Sequence, residues 1–360
     1  MKEKTRYKFI DYLRGWALLV MIEVHVFNSM LIPAIKTEGW FYVLNFINGL
    51  VAPSFLFVSG YAFYISSDRK LDELRRYGSA FWRKIGRIVV ILLAGYSLHF
   101  PFQSVFILHQ NIFYLKWDQN VIVDILQCIA IGLLFLFVLR LIIKNTKIYD
   151  IIIFVSGLAV VILSPFVANI DFSKHIPLFF AAYINNVNGS LFPLFPWLGF
   201  MFLGATACKF FLDAKRNGTE KKYIKNLSII GIVLLLIGHF FPLDFIATGI
   251  RYINPNPLFF FLRLGYVFLL LVICWYYEQF TKPGKSFILD VSRESLLVYW
   301  LHLILIYGMF WGGKSLYTAI NHSFNVIDCI LMTIIISILM VIVAKVWGKI
   351  KTKIKFFQKA

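Results

Sequence analysis

The sequence predicts an all-α fold, a polytopic membrane bundle of about ten transmembrane helices with both termini cytoplasmic. Three observations predict it. Of 360 residues, 60% are hydrophobic and only 15% charged, whereas soluble domains average ~45–50% apolar. Apolar stretches long enough to form a membrane-crossing helix recur along the whole chain. The basic residues alternate between the connecting segments in the manner of a membrane topology.

A hydrocarbon core of ~30 Å takes about 20 mostly apolar helical residues to cross. Ten stretches meet that length: 9–32, 43–66, 84–106, 121–143, 148–168, 191–211, 227–243, 257–277, 290–311 and 326–346. A transmembrane barrel would instead alternate polar and apolar residues in ~10-residue strands. With the N-terminus inside, segments 1–8, 67–87, 140–147, 209–225, 278–293 and 345–360 face the cytoplasm and hold 29 of the 36 Lys and Arg. The opposite loops hold only Lys36, Lys116, Lys174, Arg251 and Lys314, and Arg14 and Arg263 fall within spans. Every loop thus follows the positive-inside rule. The net charge of +18 reads as topology, with attraction to anionic lipid second. Nucleic acid is excluded as a partner, because no soluble domain is present to carry a basic face. The basic start, MKEKTRYKFIDYLRG, leads into a charged stretch with no small-residue cleavage site, so it reads as a retained first span. The outer segment 169–190 mixes polar and apolar residues and reads as folding back into the membrane. The whole of 1–360 reads as one membrane domain, with the bilayer as its first partner.

The four cysteines, Cys128, Cys208, Cys274 and Cys329, each stand alone in an apolar run. No CxxC or Cys/His spacing occurs, so neither a metal nor a disulfide framework is expected.

The first stretch is the unusual one. FIDYLRGWALLVMIEVH carries Asp11, Arg14, Glu23 and His25. At ~100° per residue, Arg14 and His25 differ by only ~20°, and Asp11 lies within ~40° of the same face. Asn28 extends that stripe, and Glu23 lies on the other side. Ionisable groups within a membrane face the protein interior and mark pathways, so the stripe predicts a solvated cavity. The plainer alternatives are an i,i+3 ion pair of Asp11 with Arg14 at the membrane surface, a buried His25 bonded to a neighbouring helix, and a structural partnership of Glu23 with an amide. Elsewhere Asp124 and Gln127 stand three apart, Arg263 sits six residues past Pro257, His99 lies near Pro101, and Ser295, Tyr299 and His302 share one helical face. Singly each reads as packing glue between helices; together they predict a polar cavity. A transporter or flippase for a small anion or a lipid-linked sugar is the competing reading. No internal repeat is seen, and the prolines cluster at helix ends, which weighs against it.

Several stretches resemble one known group. DYLRG with a histidine fourteen residues after its aspartate, FLFVSGYAFYIS (55–66) and FWRKIGRIVVIL (81–92) resemble the membrane acyltransferases of the acyltransferase-3 type. LVAPSFLFVSG (50–60), DILQCIAIGLLF (124–135), LFPLFPWLGFMFLGA (191–205) and SRESLLVYWLHL (292–303) are similar to motifs of the bacterial heparan-α-glucosaminide N-acetyltransferase catalytic-domain family. That resemblance implies a multi-pass acyltransferase of the cell membrane. It moves an acyl group, usually acetyl from cytoplasmic acetyl-CoA, to a carbohydrate acceptor on the other side. It implies His25 as general base, with Asn28 or Glu23 orienting it and His302 as a second base. Asp11, Arg14, Arg83, Lys84, Arg87 and Arg263 become the donor-binding candidates, since arginine forks suit the CoA phosphates. The plain reading of Arg83, Lys84 and Arg87 is positive-inside anchoring. Asp124, Gln127 and Tyr299 become the acceptor-binding candidates. One departure stands out: the animal enzymes carry a functional histidine between the first two helices, and loop 33–48 (PAIKTEGWFYVLNFIN) has none. In place of an acetyl-histidine at that loop, this leaves direct transfer assisted by His25, or His302 as a second base. A homodimer is considered as the assembly.

Overall fold

The computed structural model describes residues 6–99, 122–240, 255–281, 286–308 and 314–357. Lys116 and Arg251, and the far ends of the third, seventh and ninth apolar stretches, lie outside these residues. Among the described residues the regular structure is helical, apart from one isolated backbone bridge between Leu31 and Phe324. In chain order the helices are α1 (Lys8–Met30), α2 (Gly39–Asn48), α3 (Val51–Asp68), α4 (Leu71–Arg75), α5 (Ser79–His99), α6 (Ile125–Ile142), α7 (Thr146–Val167) and α8 (Leu178–Ile184). They continue with α9 (Leu194–Arg216), α10 (Glu220–Phe240), α11 (Pro257–Phe280), α12 (Phe287–Arg293), α13 (Ser295–Tyr307), α14 (Leu316–Ile320) and α15 (Val326–Phe357).

Seven helical stretches are long and apolar enough to cross a membrane: Gly39–Asp68, Ile125–Ile142, Thr146–Val167, Leu194–Arg216, Glu220–His239, Pro257–Phe280 and Val326–Lys353. They correspond to seven of the ten expected spans. Two more, α1 and α5, are helices of 23 and 21 residues whose charged residues set them apart from the apolar seven. The ninth expected span differs. It breaks at Glu294 into the seven-residue α12 and the thirteen-residue α13. At 1.5 Å per residue α13 covers only ~20 Å. Glu294 leaves helical geometry (φ −104°, ψ 28°), and its carboxylate is claimed by Lys351 of α15 at 2.5 Å. The outer loop 33–48 differs too. Its 39–48 portion is helix α2, separated from α3 only by Gly49 and Leu50. The run WFYVLNFI has neither a proline nor a glycine to interrupt helical bonding, so it joins the span that follows.

The chain divides into two compact units. One comprises 6–51 and 273–357 of the described residues, the other 52–99 and 122–272. In the first, α1 packs against α12, α13 and α15. Its start is capped from outside: the Glu278 carboxylate accepts from the backbone N–H of Phe9 at 2.8 Å and of Lys8 at 3.2 Å. These are donors that a helix N-terminus leaves unpaired. About two turns later Gly15 permits a close crossing, since a Cβ there would lie 2.5 Å from the Ile288 carbonyl oxygen of α12. The far end of α1 is tied by the backbone, Ile32 donating to Phe324 and Phe324 to Met30, each at 3.0 Å.

In the second unit α9 is the centre, touching α6, α7, α8 and α10. It also meets α3 across two glycines. A Cβ on Gly60 would fall 1.9 Å from the Met201 carbonyl oxygen, and one on Gly204 would fall 2.2 Å from that of Phe57. Where lipid supplies no hydrophobic drive, helices associate through such small-residue contacts. The α3–α9 crossing should therefore be the most volume-sensitive place in this unit. Gly60→Ala should destabilise it by about 1–3 kcal/mol. Gly86→Ala, on an α5 glycine with open space around it, should be neutral or gain up to ~1 kcal/mol from helix propensity. Thermal melting of the detergent-solubilised protein, followed by size-exclusion recovery, checks the pair.

Candidate active site

The site is built at the far end of α1 within the first unit. His25 Nδ1 lies 3.3 Å from the Tyr307 hydroxyl. Its ring stands 5.7 Å from the Tyr307 ring, edge to face, and 5.4 Å from the ring of His302. His302 is fully buried, and its Nδ1 is 2.8 Å from the Val298 carbonyl oxygen one turn back in α13. A carbonyl can only accept, so Nδ1 carries the proton, and in the neutral ring Nε2 keeps its lone pair. That Nε2 has no hydrogen-bond partner among the described residues. The Tyr299 ring also meets His302, perpendicular to it at 5.6 Å. Beyond Tyr307 the row continues to Tyr317 (5.9 Å) and from there to His322 (5.5 Å). The arrangement sets two imidazoles side by side. Both cannot be charged without strong repulsion.

The other charged residues of α1 are otherwise engaged. Asp11, buried, pairs with Arg6 at 2.5 Å and with Arg14 at 3.7 Å, and lies 3.5 Å from the Ser292 hydroxyl of α12. Glu23 accepts from the Asn48 side-chain amide of α2 at 3.4 Å. Asn28 is exposed, and what it offers is its backbone carbonyl, to Lys36 at 2.7 Å. The hydrogen bond at His25 thus comes from Tyr307, while Asn28 and Glu23 meet other partners.

The remaining candidates lie in the second unit. Asp124 caps α6, its side chain accepting from Ile125 N–H at 2.7 Å while Gln127 Oε1 accepts from Asp124 N–H at 3.3 Å. This is a capping box, and the D-x-x-Q spacing was its readable signal. His99 stands 3.8 Å from the Asp124 carboxylate. Arg263 lays its guanidinium over the Phe259 ring at 4.3 Å, and its Nε has no hydrogen-bond partner among the described residues. Lys84 donates to Ser66 and Ser67 at 2.7 and 3.0 Å, and Arg83 pairs with Glu73 at 3.1 Å. Arg87 is exposed, with neither ion pair nor hydrogen bond among the described residues. Sequence reasoning placed Arg140 in a basic loop, yet the structure buries it to 2% exposure, with its guanidinium 4.5 Å from the Tyr149 ring centre.

Residues 6–242 match the family described as heparan-alpha-glucosaminide N-acetyltransferase, catalytic. The chain belongs to that family. The match spans well over half of the 360 residues and makes the protein one of a membrane acetyltransferase family. No curated protein gives a significant match. His25 lies inside the matched stretch of this acetyltransferase family. His302 and Tyr307, the side chains that reach it, lie beyond its end.

Tyr307 is the residue that sequence reasoning missed. It stands five after His302, ~140° around an ideal helix, so periodicity excludes it from the His302 face. Helical side chains lean toward the N-terminus of their own helix, and α13 ends at Tyr307, which returns its ring to the level of His25.

The α4–α5 corner allows a test of how Arg83 is held. Glu73 Oε1 accepts from the Ser79 hydroxyl and from Ala80 N–H at 2.8 Å, and Oε2 accepts from Lys70 at 3.1 Å; these bonds, led by that from Ser79 and then that from Lys70, hold its carboxyl down to about 2. A depressed carboxylate stabilises above its unfolded value and loses that contribution as pH falls toward its folded value. The Ala80 amide should therefore stay protected from hydrogen exchange at neutral pH. It should lose protection between about pH 4.5 and 2, after correction for the intrinsic rate.

Proposed function

We propose that the protein is a multi-pass acetyltransferase of the cell membrane that moves an acetyl group from acyl-CoA on the cytoplasmic side to a sugar acceptor on the other side. The observation that carries this reading is the meeting of His25 with His302 and Tyr307 at one end of α1, in a chain of a membrane acetyltransferase family. In this reaction the acceptor oxygen or nitrogen attacks the thioester carbonyl. The new C–O or C–N bond forms and the C–S bond breaks. The proton that leaves the acceptor goes first to an imidazole and then to the departing sulfur, which leaves as CoA thiol. Acceptor, thioester, ester or amide, and thiol balance with no further reagent. His25 is assigned as the general base, Tyr307 as the group that orients its ring, and His302 as a second proton holder. The burial of His302 suits this role, since exclusion of water keeps the thioester from simple hydrolysis. Arg87, exposed and outside any ion pair among the described residues, is assigned with Arg83 and Lys84 to the CoA phosphates.

The purified protein in lipid nanodiscs, given radiolabelled acetyl-CoA and a panel of amino and neutral sugars, should label a sugar. His25→Ala should lower that transfer by ~10²–10⁴-fold, the usual worth of a general base, with unchanged recovery in nanodiscs. Full activity in that variant would remove His25 from the chemistry. Tyr307→Phe keeps the ring and deletes the hydroxyl, and it should lower kcat while leaving the KM for acetyl-CoA unchanged.

A further inference from the structure

The second unit holds a cavity of about 380 Å³ between the end of α7 and the start of α9. Its size falls at the lower end of the ~300–1,000 Å³ typical of small-molecule sites. Asn169, Asn185, Asn186 and Ser190 contribute its polar wall, and Phe195 and Trp197 its aromatic one. Among the described residues no ionisable side chain lines it. Neutral amides and hydroxyls beside a broad indole face are the chemistry that recognises an uncharged sugar. The amides bridge vicinal hydroxyls as donor and acceptor at once, and the ring covers the C–H face of the pyranose.

The wall is built in advance. Asn185, buried to 2% exposure, donates its side-chain amide to the carbonyls of Val167 at 2.6 Å and Ile170 at 2.7 Å. Its Oδ1 accepts from Val187 N–H at 3.2 Å. That one side chain fixes the end of α7 to the turn that bears Asn186. Ser190 Oγ accepts from Val123 N–H at 3.2 Å, and the N–H groups of Leu191 and Phe192 both donate to the Val123 carbonyl at 3.1 Å. Trp197 is held edge to face by Phe192, with ring centres 4.7 Å apart. Against this fixed frame, Asn169 and Asn186 are exposed and spend no side-chain hydrogen bond on any described residue. Two amides without partners on a rigid wall are what a ligand would take up, at little cost in ordering. The segment also lies in the part of the chain poorest in Lys and Arg, so by the positive-inside rule it faces away from the cytoplasm.

We propose that this cavity is a binding site for an uncharged mono- or disaccharide unit, seated on Trp197 and hydrogen-bonded by Asn169 and Asn186. The inference rests on the reading under Proposed function only for choosing sugars as the ligand class. Binding is measured without acetyl-CoA, so the two can fail separately. The full chain is placed in nanodiscs, because a sugar-headed detergent would compete. Saturation-transfer NMR titrations use glucose, galactose, N-acetylglucosamine, maltose and N,N′-diacetylchitobiose, with glucuronate as the charged control. At least one neutral sugar should bind saturably and glucuronate should not. Asn186→Ala, on an exposed side chain that the fold does not use, should weaken binding at least tenfold, as should Trp197→Ala. His25→Ala should leave binding unchanged. Absence of saturable binding by every neutral sugar, equal binding of glucuronate, or binding indifferent to Asn186→Ala would overturn the proposal. A transfer assay that fails while binding persists would instead count against the acetyltransferase chemistry alone.

Discussion

The first unit depends on the seating of α1 on α12. At Gly15 the backbones approach so closely that a single Cβ would strike the Ile288 carbonyl. Around that crossing the polar groups are matched within the protein. Glu278 caps the start of α1, and Asp11 meets Arg6, Arg14 and the edge of Ser292. In hydrocarbon an unpaired backbone or charged group costs several kcal/mol, so these bonds act as a register lock: a shift of α1 along its axis would break several at once. His25 stands ten residues beyond Gly15, ~15 Å along the same helix. Its meeting with His302 follows from where that lock holds.

The polar face of α1 therefore serves two ends. Near its start the ionised groups answer one another and position the helix. Near its end the imidazole meets a second imidazole whose Nε2 is buried without a hydrogen-bond partner among the described residues. A sequence shows both as one stripe, because the 3.6-residue period places Asp11, Arg14 and His25 on one face whatever stands opposite them. Only the opposing helix tells them apart: α12 offers Ser292 and a carbonyl wall, α13 offers His302 and Tyr307. The break at Glu294 divides those two roles. Had 290–311 run as one straight span, Ser292 and His302 would lie on a single continuous helix axis.

The general architecture was legible for a physical reason. Apolar length reports what lies in hydrocarbon, and both act through composition, which survives any detail of packing. Seven of the apolar stretches emerge as helices of membrane-crossing length and apolarity, and the helical class follows. What composition hides is local. The Gly39–Asn48 helix hides inside an apparent loop, because WFYVLNFI is as apolar as the span it joins. The α6 start hides behind Ile122 and Val123, apolar residues that precede the helix, although Asp124 and Gln127 spelled out its capping box. Arg140 hides because a count of loop charges cannot distinguish an anchoring arginine from one buried against Tyr149. Tyr307 hides because it stands ~140° around α13 from His302, and only the packing of α1 shows that both reach His25.

The matched residues 6–242 supply α1 and most of the second unit, whereas α12, α13 and α15, which seat α1 and bring His302 and Tyr307 to His25, come from beyond it. A chain ending at the limit of the match would keep the imidazole of His25 but lose Ile288, Ser292, Glu278 and both aromatic neighbours. The polar groups of α1 would then face lipid or one another, at a cost that bilayer-exposed ionisable groups seldom bear. His25 and its housing are therefore distributed over chain segments nearly three hundred residues apart, His25 and Tyr307 being separated by 282 positions. In this unit the geometry of the histidine pair is a property of tertiary packing, so variation in α12 and α13 can retune the site while the α1 sequence stays fixed.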